Sequence, residues 1–170
     1  MPKRNPYGYN KGASPTVVET PAPLLEAAAA RWGAFAWDLA AFEDNKKAPR
    51  CITPDEDSLS PNTPWPLDEL CWLNPPYDDI APWVRKCDGY VRAYGERFEC
   101  LQLIPARIGS NWYRDYCFGK CETIPLNIRP QFIGYDSGAG VDHMILRFGG
   151  ANNTLTMLEP WDFEAAWARL

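Results

Sequence analysis

The stretch LCWLNPPYDDIAPWV, residues 70–84, decides how the chain is read. Leu70 to Leu73 form an apolar run of strand length. Asn74 to Tyr77 cannot prolong it, because two adjacent prolines remove two backbone donors and fix two φ angles. A stiff turn therefore delivers Asn74 to the end of a strand. Asp78 and Asp79 stand where acidic residues favour a helix start. Ile80, Trp83, Val84, Cys87, Val91 and Tyr94 follow at helical spacing, with Pro82 tolerated in the first turn.

Working outward, ETPAPLLEAAAARWG (19–33) predicts a helix: Thr20 as cap, Pro21 at the first helical position, a stripe of Leu24, Leu25, Ala28 and Trp32, and Gly33 as the stop. AFAWDLAAF (34–42) reads as a short buried strand ending at Asp38, RCIT (50–53) as a second strand, and the proline-rich acidic segment 54–69 as a loop. Beyond residue 84, RFECLQLIPAR (97–107) is a further strand. Helix, three strands, helix and strand in this order predict a three-layer α/β domain with parallel central strands, over residues 16–170. Residues 121–150 contain two strands around a Gly-rich turn, an antiparallel pair expected at a sheet edge. A final helix is expected in PWDFEAAWARL (160–170), with Trp161, Ala165 and Trp167 toward one apolar side; residues 1–15 read as a flexible arm.

The charge balance restricts function. A net charge of −5 argues against binding nucleic acid through bulk electrostatics, yet residues 104–135 carry Arg107, Arg114, Lys120 and Arg129 against only Asp115 and Glu122, a local basic face. No apolar run reaches membrane-spanning length and the N-terminus has no signal-peptide core, so the expectation is a cytosolic protein with reduced cysteines. Cys117 and Cys121, placed on a helix with a three-residue spacer and no second close pair, do not make a zinc site, and no metal is expected.

Ligands of open α/β sheets bind beyond the carboxyl ends of the strands, where Asp38 and Asn74 fall. The Asn74 side-chain carbonyl and the Pro75 backbone carbonyl, held in fixed relation by the proline pair, present two acceptors to a planar amino group with two hydrogens. The amine of adenine is a poor nucleophile because its lone pair is delocalised into the ring; two acceptors on its hydrogens favour a pyramidal nitrogen with a usable lone pair. Tyr77 supplies an aromatic face on which the base can stack.

NPPY after an apolar strand resembles the catalytic loop of amino-methyltransferases that use S-adenosylmethionine. The longer series ETP, WDLAA, DSL, WLNPPYDDIAPWV, LIPAR and IRPQFIGY, between about Thr20 and Phe148, resembles the phage-type DNA adenine-N6 methyltransferases, the phage Dam family. That resemblance implies a Rossmann-like methyltransferase fold with a mixed sheet, S-adenosylmethionine as cofactor, and methylation of adenine N6 in DNA. It further implies that Asn74 and Pro75 accept the amino hydrogens, Pro76 shapes the turn and Tyr77 stacks on the target base. By the same resemblance Asp38 lies by the methionine part of the cofactor, Thr20 and Pro21 close that end of the pocket, and Asp57 is placed near the cofactor's adenine. DLAAFEDNK has no glycine where such folds usually carry a Gly-rich cofactor turn, so small side chains such as Ala40 must permit the approach. The DNA side is assigned to Arg107, Asn111, Trp112 and Arg129, on loops after LIPAR and around NIRPQF. Two alternatives stand beside this reading: methylation of another planar amine, in protein glutamine or an RNA base, and a non-enzymatic DNA mimic or inactive relative.

Overall fold

The computed structural model describes residues 19–132, 140–151 and 153–170. The N-terminal arm and most of the Gly-rich turn lie outside them. In chain order the elements are α1 (Ala22–Trp32), β1 (Trp37–Asp38), β2 (Arg50–Cys51), β3 (Leu70–Leu73), α2 (Ala81–Tyr94), a 3-10 turn (Gly95–Arg97), β4 (Glu99–Pro105), α3 (Asn111–Tyr116), β5 (Glu122–Pro125), β6 (His143–Gly149) and α4 (Phe163–Trp167). The strands form one sheet of order β2-β1-β3-β4-β6-β5, in which β6 runs opposite to the other five.

Period-two alternation divides the sheet between two cores. Cys71, Leu73, Cys100, Ile104, Met144, Leu146 and Phe148 face α2 and α3, where they meet Trp83, Val84 and Cys87. Trp72, Leu101, Leu103 and Ile145 face α1 and α4, against Leu24, Ala27, Ala28 and Phe163. Each such large side chain, fully withdrawn from water, contributes roughly 1.5–3 kcal/mol. The three-layer expectation holds, and helices on both faces explain why β3 reads as a continuous apolar run.

Several local expectations are corrected. Thr20 does not cap α1: the N-cap is Pro21, with no side-chain cap bond, and Pro23 takes the early helical position assigned to Pro21. Helix α2 begins after Asp78 and Asp79, with Ile80 as N-cap and no acidic residue in its first turn. Trp167 is exposed at the end of a five-residue α4, whose buried side chain is Phe163. The antiparallel pairing of β5 and β6 is found, but only β5 is peripheral. β6 inserts between β4 and β5, pairing Pro105 with His143 through Glu99 with Gly149. The edge of β5 is covered by the segment after β6, through bonds of 2.8 Å from Thr123 N to Thr156 O and from Leu158 N to Thr123 O.

Candidate active site

The parallel registers of β1, β3 and β4 bring the sequence-selected groups together. Asp38 pairs with Trp72, and Leu39 N donates to Trp72 O at 2.9 Å, so Asp38 and Asn74 lie on neighbouring strand ends. The chain then leaves β3 through the buried Pro75 and the half-buried Pro76 and Tyr77.

The amide of Asn74 is held from both sides. Its Nδ2 donates to Thr20 Oγ1 at 3.2 Å, and its Oδ1 accepts from the Tyr77 hydroxyl at 2.8 Å. Thr20 is only 1% exposed, so the Nδ2 side of the amide meets a buried hydroxyl and the carbonyl side meets that of Tyr77. Failing as a helix cap, Thr20 thus becomes the residue that orients the polar group of the turn. Pro21 stays beside it as the N-cap of α1.

Asp38 is buried at the end of β1, where its carboxylate accepts from Ala40 N at 3.3 Å and Lys47 N at 3.0 Å. Burial pushes its pKa up to about 6 against the opposing pull of these amides and the Lys47 charge. The Lys47 ammonium itself bonds Glu19 at 3.0 Å. A buried carboxylate held only by backbone amides fits a cationic group, as the ammonium of S-adenosylmethionine would be. The link from β1 to β2 contains no helix; Ala40 and Phe42 are tied into turns by Asp38 and Asn45.

Asp57 belongs to a separate piece of local order. It has φ 52°, and its Oδ1 accepts from Leu59 N at 3.1 Å. Lys86 of α2 staples the same loop, its Nζ reaching the carbonyls of Ser58, Ser60 and Thr63 at 2.6, 3.2 and 2.9 Å. No direct bond links Asp57 to Asn74 or Asp38 among the described residues.

On the assigned DNA side, Arg107 and Asn111 are exposed. Asn111 and Trp112 do not lie in a loop but open α3, capped by Ser110, whose hydroxyl accepts from Tyr113 N at 3.3 Å. Trp112 is half-buried against the α2–α3 core. Arg129 is exposed and ion-paired with Asp142 at 2.8 Å. Cys117 and Cys121 lie beyond α3 rather than on it; both are buried, and all six cysteines are free thiols. No group of metal-ligating side chains occurs among the described residues, nor any helix long and apolar enough to cross a membrane.

Two residues that the sequence did not assign to this site stand beside Tyr77; His143, the lone histidine weighed with Cys117 and Cys121 as a metal ligand, is one of them. Phe132 and His143, both buried, meet the Tyr77 ring with centroid separations of 6.5 and 5.6 Å and each other at 5.0 Å. β6, brought in from far along the sequence, places His143 there, and Phe132 comes from the segment between β5 and β6.

A three-layer α/β sheet that ends a central strand in Asn-Pro-Pro-Tyr, with a buried carboxylate on the adjacent strand end, has the architecture of the amino-methyltransferase class. Comparison with known proteins narrows the class. The chain belongs to the DNA N-6-adenine-methyltransferase (Dam) family, whose model matches residues 13–145. It is similar to the DNA N-6-adenine-methyltransferase of Haemophilus phage HP1 (strain HP1c1), 28% identical over 110 residues that cover 64% of this chain. The match spans 60% of the length of that relative.

Proposed function

We propose that the protein transfers a methyl group from S-adenosylmethionine to the N6 amino group of adenine in DNA. The observation that carries this reading is the Asn74 amide, turned by Thr20 so that its carbonyl faces Tyr77 at the carboxyl end of β3. When bound, the cofactor supplies an electrophilic methyl on a cationic sulfur. The chain's own work is positioning: Asn74 Oδ1 and the Pro75 carbonyl accept the two amino hydrogens, concentrating the lone pair on nitrogen along the line of attack. Tyr77 stacks on the base, Asp38 receives the cofactor's ammonium, and Thr20 with Pro21 closes that end of the pocket. Asp57 in the Lys86-stapled loop is proposed for the cofactor's adenine. Arg107, Asn111, Trp112 and Arg129 lie on segments following β4 and β5 and are proposed to meet the DNA. Extrusion of the adenine from a duplex costs a few kcal/mol, offset by stacking and backbone contacts. Membership of the Dam family favours DNA adenine over a protein amide or an RNA base, and over a DNA mimic.

The test is transfer of labelled methyl to unmethylated DNA, with nucleoside analysis, for wild type and Asn74→Ala. N6-methyladenine from the wild type, reduced about 10²-fold or more in the variant at unchanged fold, is the expected result. Equal turnover of the two proteins would refute the role of Asn74. Absence of methyladenine from the wild type would refute the function.

A further inference from the structure

The hydroxyl of Tyr77 is bonded to the same Asn74 oxygen that the target amino group must reach. A ring that points its hydroxyl at Oδ1 stands where the amino group enters. To offer its face to the base, it has to turn and release that bond. A phenolic hydroxyl withdrawn into a dry site needs another acceptor, because a buried donor left unpaired costs more than the bond it lost.

His143 is built to provide one. It opens β6 opposite Pro105, and its backbone carbonyl accepts from Leu126 N at 2.9 Å, so its position is fixed from both neighbouring strands. The side chain is 2% exposed and lies 5.6 Å, centroid to centroid, from the Tyr77 ring. Its Nδ1 lies 3.0 Å from Val141 O, a contact that requires the proton on Nδ1 and leaves Nε2 as a bare acceptor. That Nε2 is buried without a hydrogen-bond partner among the described residues. Buried polar atoms without partners are rare enough to require a reason. Phe132 packs on both rings and closes the group.

We infer that His143 is a positioning residue of the methylation site, whose Nε2 accepts the Tyr77 hydroxyl when the target amino group displaces it from Asn74. This rests on the function proposed above. His143 touches neither reacting atom; it acts by holding Tyr77 in the stacking position.

His143 is the only histidine of the chain, which makes the inference directly readable. In untagged protein with 15N-labelled histidine, Nε2 is expected to resonate as a non-bonded, unprotonated nitrogen. It should move toward hydrogen-bonded values when a short duplex that is methylated in the activity assay is added. In Tyr77→Phe the same duplex should leave it in place. A resonance that does not move in the wild type, or moves equally in Tyr77→Phe, overturns the inference. Kinetically, His143→Leu should lower kcat/KM for DNA about tenfold, and His143→Gln, which retains an acceptor, should recover most of the loss. In the Tyr77→Phe background, where no hydroxyl needs receiving, His143→Leu should cost less than about twofold. An equal loss in both backgrounds would mean a structural role only. If the wild type forms no methyladenine, both readings fall; if it does and the coupling is absent, this one falls alone.

Discussion

Replacement of Thr20 by Val would test the orientation of the Asn74 amide with little change of shape. Thr20 is buried to 1% exposure, and its hydroxyl is the acceptor for Asn74 Nδ2 at 3.2 Å. In Thr20→Val the amide that keeps its carbonyl toward Tyr77 loses this bond inside the protein, a penalty of roughly 1–2 kcal/mol. Without that anchor the amide is no longer held to the orientation in which Oδ1 stands on the Tyr77 side. Only that orientation offers Oδ1 to the target amine. Turnover should therefore fall about five- to thirtyfold, as the population of the competent amide falls. The assay is kcat for methyl transfer at saturating DNA, with thermal unfolding of each protein alongside. Thr20→Ser keeps the acceptor and should stay within about twofold of wild type. Wild-type turnover in Thr20→Val, or an equal loss in Thr20→Ser, would refute the claim that Thr20 acts through the Asn74 amide.

Further outcomes follow from the same geometry. Asp38, raised by burial to about 6, binds its proton more tightly in the folded state than unfolded, so its contribution falls as pH rises from about 4 to 6. His143, lowered by burial to about 4, binds its proton less tightly when folded, so its contribution grows as pH rises from about 4 to 6.5. The two nearly offset each other, and His143→Leu should expose a fall in stability over that window, seen by urea unfolding at several pH values; an unchanged pH profile would contradict this. Lys86→Met leaves three loop carbonyls without their shared donor and should cost roughly 1–3 kcal/mol in denaturant unfolding, whereas a cost below about 0.5 kcal/mol would show the staple to be idle. Gly149→Ala should abolish or severely weaken folding, because φ is 68° and the new Cβ would stand 1.9 Å from the Phe98 carbonyl oxygen. Gly89→Ala, in open space within α2, should instead stabilise by about 0.5–1 kcal/mol, and circular dichroism melts of the pair would test both.

The elements legible in the chain were those whose signals are local. The apolar stripe of α1, the strand-length run of β3 and the helical spacing of α2 all appear where their periodicity places them. Helix boundaries were less legible: Pro21 and Ile80 occupy the N-caps that Thr20 and the Asp78–Asp79 pair seemed to claim by residue type. Thr20 bonds Asn74 instead, a tertiary contact that overrides its capping tendency. Helix α3 is six residues long, too short to show a full apolar stripe, and it ends before Cys117 and Cys121, which the sequence had placed on a helix.

Asn74-Pro75-Pro76-Tyr77 by itself determined a rigid turn with two carbonyl acceptors and an aromatic neighbour, because proline geometry and side-chain chemistry act within four residues of chain. The family assignment then followed from that motif in its sequence order. Tertiary structure alone decided which strand lies beside β4, which hydroxyl orients Asn74 across 54 residues of chain, and which histidine meets Tyr77. Those outcomes depend on non-local strand pairing and on burial from both faces of the sheet, neither of which leaves a periodic trace in the segments it joins.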